Sequence, residues 1–406
     1  MKSICRSLFT LCALLTSFLS SCSNGENLPN PEEKVSGCTV IVYMGADNDI
    51  STYSEEDLQE ILMSSSEIPS DCQVVVFQDV RNSDSKGDEI PSRIIHITSN
   101  GHSVWKEYST NLNSASPSTV KDVLSTIVKF FPSEKFSLVM WSHGSGWIDI
   151  PSSRAIIRDD AGGRSNWLNI SSLADVLKGM PFFEYILFDA CWMQTVEVAA
   201  ELYPYASYLI ASPAEIPNKG APYDIILKAL CEADIVGIIN GYASGYSNSS
   251  LGVVFSAVNT KEFPRFCQAS ADVIARCFPS KEKMPSTSGI QIYAPSALEY
   301  YSSGIPVPYD IRSAFHHYLD DSSLEAWETQ WKKTILFPTA SAKWDTSYGR
   351  YGTTHCTLTD SEHFGGISMF IPNVKYEDSS TYQCNWNSMF QTTSWYDLAN
   401  WEKTGW

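Results

Sequence analysis

The sequence predicts an α/β protein: a mainly parallel sheet with helices on both faces. Three observations carry that reading. Short apolar runs ended by small or polar residues recur along the chain, as buried strands of a parallel sheet do. Amphipathic stretches long enough for helices stand between them, which is the βαβ alternation of that class. Two of the runs, Phe136–Trp141 and Tyr185–Phe188, lead straight into Ser142-His143-Gly144 and Asp189-Ala190-Cys191.

In chain order, Thr39–Met44 is a β-branched strand broken at Gly45, followed by a loop at Asp47–Ile50. Ser54–Met63 reads as a helix, with Ser54 and Asp57 shaped like a capping box. Gln73–Phe77 is a second buried strand, and Ile94–Ile97 with Trp105–Tyr108 a hairpin or edge pair around Asn100-Gly101. Ser118–Phe130 is an amphipathic helix ahead of the Phe136 strand. Asn169 or Ser171 caps a helix through Lys178 that feeds the Tyr185 strand. Trp192–Leu202 follows as a helix and Tyr208–Ile210 as a strand.

Past about residue 260 the pattern changes. Phe263–Cys277, Ile311–Leu319 and Leu324–Ile335 read as helices, the last with Trp327 and Trp331 on one side. Ile290–Tyr293 reads as a strand. Gly366–Pro372 echoes Gly289–Pro295, too short a match to make a repeat. Trp386, Trp395, Trp401 and Trp406 crowd the tail, where core or docking face is the plain reading and a sugar platform the sharper one. The domain boundaries expected are a leader over 1–21, a flexible tether over 22–37, an α/β domain over 38–260, and a C-terminal α+β extension over 261–406 packed on it.

The leader carries Lys2 and Arg6 ahead of Leu8–Leu19, an apolar stretch too short to span a bilayer as a mature helix. It ends in Leu19-Ser20-Ser21-Cys22, which resembles the lipobox of bacterial lipoproteins and implies lipid on Cys22. Two acyl chains suffice for stable attachment. The expected location is therefore the bacterial envelope, periplasmic or on the outer-membrane surface, with secretion as the alternative.

With 406 residues, 43% of them hydrophobic and 18% charged, the chain can bury a full core. The formal charge is -18, and losing the leader makes it more negative still, so nucleic-acid phosphates would be repelled. Beyond the leader and Cys22 stand Cys38, Cys72, Cys191, Cys231, Cys267, Cys277, Cys356 and Cys384. Setting Cys191 aside leaves an odd number, so at least one other has no internal partner. No Cys-x-x-Cys pair occurs, and no metal site is expected.

Chemistry in an open α/β sheet gathers at the carboxyl ends of strands. If the two reactive runs are parallel neighbours, His143 and Cys191 meet there, the minimum equipment of a cysteine nucleophile. A free thiol has a pKa near ~8.5. A helix starting after Cys191 would stabilise the thiolate, and His143 would take the proton and later protonate a leaving amine. Gly144 lets backbone N–H groups, its own and that of Cys191, approach a developing oxyanion.

The pattern His143-Gly144-x-Gly146-Trp147 with Asp189-Ala190-Cys191 resembles the clostripain family of cysteine peptidases, relatives of caspases, gingipains and legumain. Val42-Tyr43-Met44 with Asp47-Asn48-Asp49 resembles that family's opening strand and loop. Ala211-Ser212-Pro213 through Gly220–Tyr223 resembles the segment after its next strand, and Gly366–Pro372 a late strand. The resemblance runs from about residue 38 to the end. It implies a caspase-like three-layer αβα sandwich and a cysteine endopeptidase working through an acyl-enzyme, with His143 as general base and acid and Cys191 as nucleophile.

The resemblance also implies that Asp189 lines the S1 pocket opposite a substrate Arg or Lys, and that Ser212 forms pocket wall. The alternative for Asp189 is to hold the backbone of its own turn. Members with strong Arg/Lys preference tend to add acidity in the following loop, where this chain has Glu215 and then Lys219. The family is often made as a zymogen cut between the His and Cys strands, and Ile148–Leu168 offers Arg154, Arg158 and Arg164 for self-cleavage. No cofactor is required; Asp159 and Asp160 offer calcium two carboxylates where six to eight oxygens are needed.

Peptide or protein substrates are the expected partners, with a membrane held through the N-terminal lipid, no nucleic acid, and a monomeric chain. A second reading makes the chain a non-catalytic envelope lipoprotein whose tryptophan-rich C-terminal part holds a glycan or protein. A third keeps the dyad for transpeptidase or amidase work, since the acyl-enzyme step is shared.

Overall fold

Nine strands among the described residues form one sheet, and their ranges follow the apolar runs closely. They are β1 (Ser36–Ala46), β2 (Cys72–Val80), β3 (Arg93–Thr98), β4 (Gly101–Glu107), β5 (Ser133–Trp141), β6 (Phe183–Asp189), β7 (Ala206–Ala211), β8 (Val254–Asn259) and β9 (Ile335–Ala340). The computed structural model describes residues 35–81, 90–148, 156–296, 306–347, 352–378 and 384–406; the leader, Cys22 and most of the tether lie outside them.

The spatial order is β9-β8-β7-β6-β5-β1-β2-β3-β4. The central run from β7 to β2 is parallel throughout. Both flanks are antiparallel, β2–β3–β4 on one side and β7–β8–β9 on the other. The expected parallel sheet is therefore its centre. The chain builds outward from β1 in both directions, so the switch point falls between β1 and β5.

Side chains alternate between two cores. Ile41, Tyr43, Leu138, Met140, Ile186 and Phe188 face one layer, and Val40, Val42, Val139, Trp141, Tyr185 and Leu187 the other. The first layer takes α2 (Pro117–Phe130), α3 (Ile170–Leu177), α4 (Val196–Leu202), α7 (Phe263–Cys277), α8 (Ile311–Tyr318) and α9 (Asp321–Thr334). The second takes α1 (Ser51–Met63), α5 (Tyr223–Glu232) and α6 (Ile235–Gly245). This is the three-layer αβα sandwich.

Several local expectations need correcting. Helix α1 starts at Ser51, so Ser54 and Asp57 lie inside it and form no capping box; Ser54 Oγ donates to the Ser51 carbonyl. Asn169, not Ser171, caps α3 by accepting from the Ser172 N–H. Helix α4 begins only at Val196, capped by Thr195, so Trp192–Gln194 is an irregular turn. Ile290–Tyr293 contributes a single bridge, Ile292 to Tyr309, and the Gly366–Pro372 segment pairs with the same short strand through Ser368–Met369.

The sequence reading missed β8 and β9. The stretch from 261 gives the main sheet its edge strand β9, and Pro338 within that strand suits an edge, where a missing N–H costs no ladder bond. All four tail tryptophans are buried (0%, 0%, 0% and 5% exposed), which removes the sugar platform. Cys38 and Cys72, register partners on β1 and β2, form a disulfide, and the other six described cysteines are free thiols.

Candidate active site

The β5–β6 register pairs Trp141 with Asp189. His143 and Cys191 each stand two residues beyond those partners, so they emerge at the same height on adjacent parallel strands. The Ser142 N–H donates to the Asp189 carbonyl, and Ser142 Oγ donates to the Gly45 carbonyl at the end of β1. Gly144 brings the two loops into contact. A Cβ there would lie 2.6 Å from the Cys191 carbonyl oxygen and 3.0 Å from Ala190 Cβ, so any larger residue would force the loops apart. His143 and Cys191 line one pocket with Ile50, Trp141, Asp189 and Gly220.

At the mouth of that pocket His143 Nε2 lies 2.7 Å from Asp49 Oδ1, across the β1/β5 switch point. That bond places the proton on Nε2 and leaves Nδ1 as the basic nitrogen. Asp49 also accepts from Arg158 Nη1 at 2.8 Å, and Arg158 Nε donates to Asp160. The hydrogen bond from His143, working against partial burial, and the charge of Arg158 hold the Asp49 carboxyl well below its ordinary value. Asp49 appears in the sequence only as part of an opening-strand pattern. Its meeting with His143 follows from β1 lying beside β5, which no local signal reveals.

Around Cys191 the helix argument fails. Because α4 starts at Val196, the thiol sits at the end of a turn and not at a helix N-terminus. Trp192 adopts φ 57°, a left-handed conformation rare for so bulky a residue, and its N–H donates to the Ala214 carbonyl. The polar partner of the sulfur is the Ile216 peptide, whose N–H lies 3.4 Å from Sγ. Although the residue keeps some surface, burial around the sulfur pushes the Cys191 thiol well above its ordinary value, and the negative charges of Glu215 and Asp189 add to this.

The floor is acidic and closed. Asp189, 3% exposed, accepts from the Ala221 N–H (3.0 Å) and the hydroxyls of Tyr223 (3.1 Å) and Tyr242 (3.0 Å). It therefore lines the pocket and fixes the backbone of the 220–223 turn at once. Behind it Asp57, fully buried, accepts from Trp141 Nε1 at 2.6 Å. Gly220, at φ 66°, leaves room for both acids: a Cβ there would meet Asp189 Oδ2 at 2.9 Å and Asp57 Oδ2 at 3.1 Å. Burial pushes both carboxyls up, Asp57 further because the Asp189 charge adds to it. Lys219 is turned away to Glu60 at 3.3 Å. Sequence reasoning missed Asp57 as a member of this floor.

Ser212, expected as pocket wall, stands one layer behind the residues that line this pocket. It is fully buried, its hydroxyl accepts from the Ala214 N–H, and its carbonyl accepts from the Gln194 N–H. It ties the Cys191 turn to the strand beside it. Of the processing candidates, Arg154 lies outside the described residues. Arg158 sits in a short strand (156–159) with its side chain on Asp49 and Asp160, while Arg164 is exposed at the end of a turn whose Gly162 and Gly163 have positive φ. Asp159 is fully buried, accepting from Ser114 and Ala161, and Asp160 is paired to Arg158 and Ser165.

Comparison with known proteins gives a consistent picture. The model of the clostripain family matches residues 42–406. Clostripain of Hathewaya histolytica is 27% identical over 224 residues, which is 48% of this chain and 42% of that protein, so the match spans under half the relative's length. A secreted C11 cysteine protease of Bacteroides thetaiotaomicron, solved with an irreversible peptide inhibitor, superposes with a TM-score of 0.74 at 24% identity, over 90% of this chain and 99% of that one. An inactive zymogen C11 protease of Parabacteroides distasonis gives 0.73 at 23% identity, over 90% and 99%. At these identities the likeness to the two structures is one of fold.

Proposed function

The chain belongs to the clostripain family of cysteine peptidases, and from that premise we propose that it hydrolyses peptide bonds through a His143–Cys191 dyad. Cys191 Sγ attacks the scissile carbonyl while its proton passes to His143 Nδ1. The C–N bond then breaks as the imidazolium protonates the leaving amine, giving an acyl-enzyme. Water attacks this thioester with His143 as base, the C–S bond breaks, and the imidazolium returns its proton to the departing thiolate. The N–H groups of Gly144 and Cys191 are the oxyanion donors in this reading, each worth roughly 2.7–4 kcal/mol in comparable hydrolases. The observation that carries the proposal is the β5–β6 register, which sets both residues at one height beside the Gly144 contact.

The pocket floor supports a basic P1 residue. Asp189 and Asp57 are buried acids with raised pKa values and no cation within hydrogen-bond reach among the described residues, which a substrate guanidinium or ammonium would supply. Self-processing between the His and Cys strands is part of the proposal, with Arg164 the favoured site because an exposed turn fits a protease cleft better than the strand holding Arg158. An enclosed thiol whose pKa burial raises and an Arg158–Asp49–His143 chain of contacts agree with an uncut form awaiting processing. Peptides or proteins are the substrates, and the leader supports a lipid-anchored envelope location through Cys22.

Fluorogenic peptide amides varied at P1, assayed with purified protein and its Cys191→Ala form, test the reading. Turnover after Arg or Lys that vanishes in the variant is expected. Turnover that survives in Cys191→Ala, or an acyloxymethyl ketone that labels another thiol, would overturn the dyad. An uncut chain on SDS gels, or the same cut in Cys191→Ala, would overturn self-processing alone.

A further inference from the structure

On the C-terminal side, away from the dyad, three residues from separate segments converge. His316 lies near the end of α8, Asp321 is the first residue of α9, and His363 sits in the segment leading to Ser368. One ligand-capable atom from each lies within 4.8 Å of the others. The two imidazoles stack, with centroids 4.2 Å apart and planes 19° from parallel.

His316 faces a carboxylate with each ring nitrogen. Nδ1 is 3.0 Å from Asp321 Oδ1 and Nε2 is 2.8 Å from Glu328 Oε1, which Arg312 Nε also holds. A neutral imidazole has one N–H, so one of these contacts sets a lone pair against an anion unless a positive species stands between. His363 repeats half of the arrangement, with Nδ1 against Asp360 Oδ1 at 3.1 Å and Nε2 left over. Metal-ligating histidines characteristically donate their other ring N–H to a carboxylate, which fixes the tautomer and strengthens the ligand. Here each imidazole faces such a carboxylate, His316 Nε2 at Glu328 and His363 Nδ1 at Asp360, and Asp321 completes a two-histidine, one-carboxylate set that suits zinc and its neighbours better than calcium.

We propose that His316, Asp321 and His363 bind a divalent transition-metal ion, zinc foremost, at a structural site. His316, 6% exposed, is the fixed ligand, while Asp321 (89% exposed) and His363 (27%) are free to turn onto the ion. Glu328 and Asp360 orient the two imidazoles. The ion would fasten the α8–α9 corner to the segment that continues through Gly365 and Gly366, both donating to Asp310, to Ser368, whose N–H donates to the Gln194 carbonyl three residues past Cys191.

The experiment uses the full chain carrying Cys191→Ala, titrated with Zn²⁺ by calorimetry and with Co²⁺ by absorption. We expect saturable binding of one equivalent and a cobalt spectrum without a thiolate charge-transfer band. Asp321→Asn and His363→Gln should each weaken binding at least tenfold, and Glu328→Gln about tenfold through His316. No saturable equivalent, a thiolate band from one of the free cysteines, or binding unchanged in Asp321→Asn and His363→Gln would overturn the site. None of these readouts depends on peptidase activity.

Discussion

The mouth and the floor of the dyad pocket hold acids of the same kind in opposite electrostatic states. At the mouth Asp49, 61% exposed at its side chain, sits between His143 and Arg158 and is held down as a carboxylate. At the floor Asp189 and Asp57 are sealed among Trp141, Tyr223 and Tyr242, with hydrogen-bond donors but no cation in contact among the described residues, and burial raises both. An exposed carboxylate with partners is inert and stable. A buried pair without a counter-charge stores the demand for one, and in a peptidase the side chain that can answer it is the substrate's. The mouth should therefore govern turnover and the floor substrate choice.

The largest effect expected is at the mouth. His143→Ala should lower kcat by about 10³-fold or more on the best peptide amide, with KM little changed, because it removes the proton carrier and leaves the floor intact. A KM effect of the same size would break the division. Next comes Asp189→Asn. Losing a charge-assisted bond of ~1.5–3 kcal/mol should cut kcat/KM for Arg and Lys at P1 by roughly 10–150-fold and change kcat/KM on a neutral P1 residue far less. Equal losses on neutral P1 substrates would mean that Asp189 only braces Ala221 and Tyr223.

How much of this was legible in the chain follows from where each signal lies. Strand-terminal His143 and Cys191 are local: an apolar run, then a reactive residue among small ones, and parallel neighbours align them. Register did the rest. Asp49 and Asp57 were not legible, since each acts through a partner on another strand, and only the order β5-β1-β2 makes those neighbours. Asp57 even looked like a cap because its spacing from Ser54 fits one, yet burial against Trp141 gives it a different role. The helix expected over Trp192–Leu202 forms only from Val196, because its first residues belong to a turn in which Trp192 takes a positive φ, and β9 was hidden by Pro338 and by the helix running into it. His316, Asp321 and His363 lack any short-range spacing pattern and converge only in the fold.

A moderate effect is expected from the Cys191 thiol. Burial raises its pKa, so the thiolate fraction at neutral pH is below that of a free cysteine with pKa ~8.5. Alkylation of the uncut chain, made uncleavable by Arg164→Ala, should be slow at pH 7 and climb steadily beyond pH 9. A plateau below pH 8 would show that the sulfur is activated before cleavage. Asp49→Asn should be milder, about fivefold in kcat at most, because exposed ion pairs are worth ~0–1 kcal/mol. Partial rescue by Asp49→Glu separates a carboxylate acting on His143 from a loop that merely needs Asn or Asp.

The smallest effect is a slope. Asp57 and Asp189 have raised pKa values in the fold, so their contribution to stability is complete below the ordinary carboxylate pKa near ~4 and is lost as pH rises through the folded values. In the Cys191→Ala background, Tm should therefore fall as pH is raised from 5 to 9. Asp57→Asn keeps a side chain able to accept from Trp141 Nε1 while removing the higher-titrating acid, so its Tm should fall less over the same interval. Other buried acids with raised pKa values, Asp79 and Glu197 among them, contribute to both proteins and cancel in the difference. A basic P1 inhibitor bound to the wild-type dyad should flatten the slope in the same way, since its cation lowers both floor pKa values. If Asp57→Asn and wild type fall in parallel, the floor acids are already neutralised, and the contrast with the mouth loses its electrostatic basis.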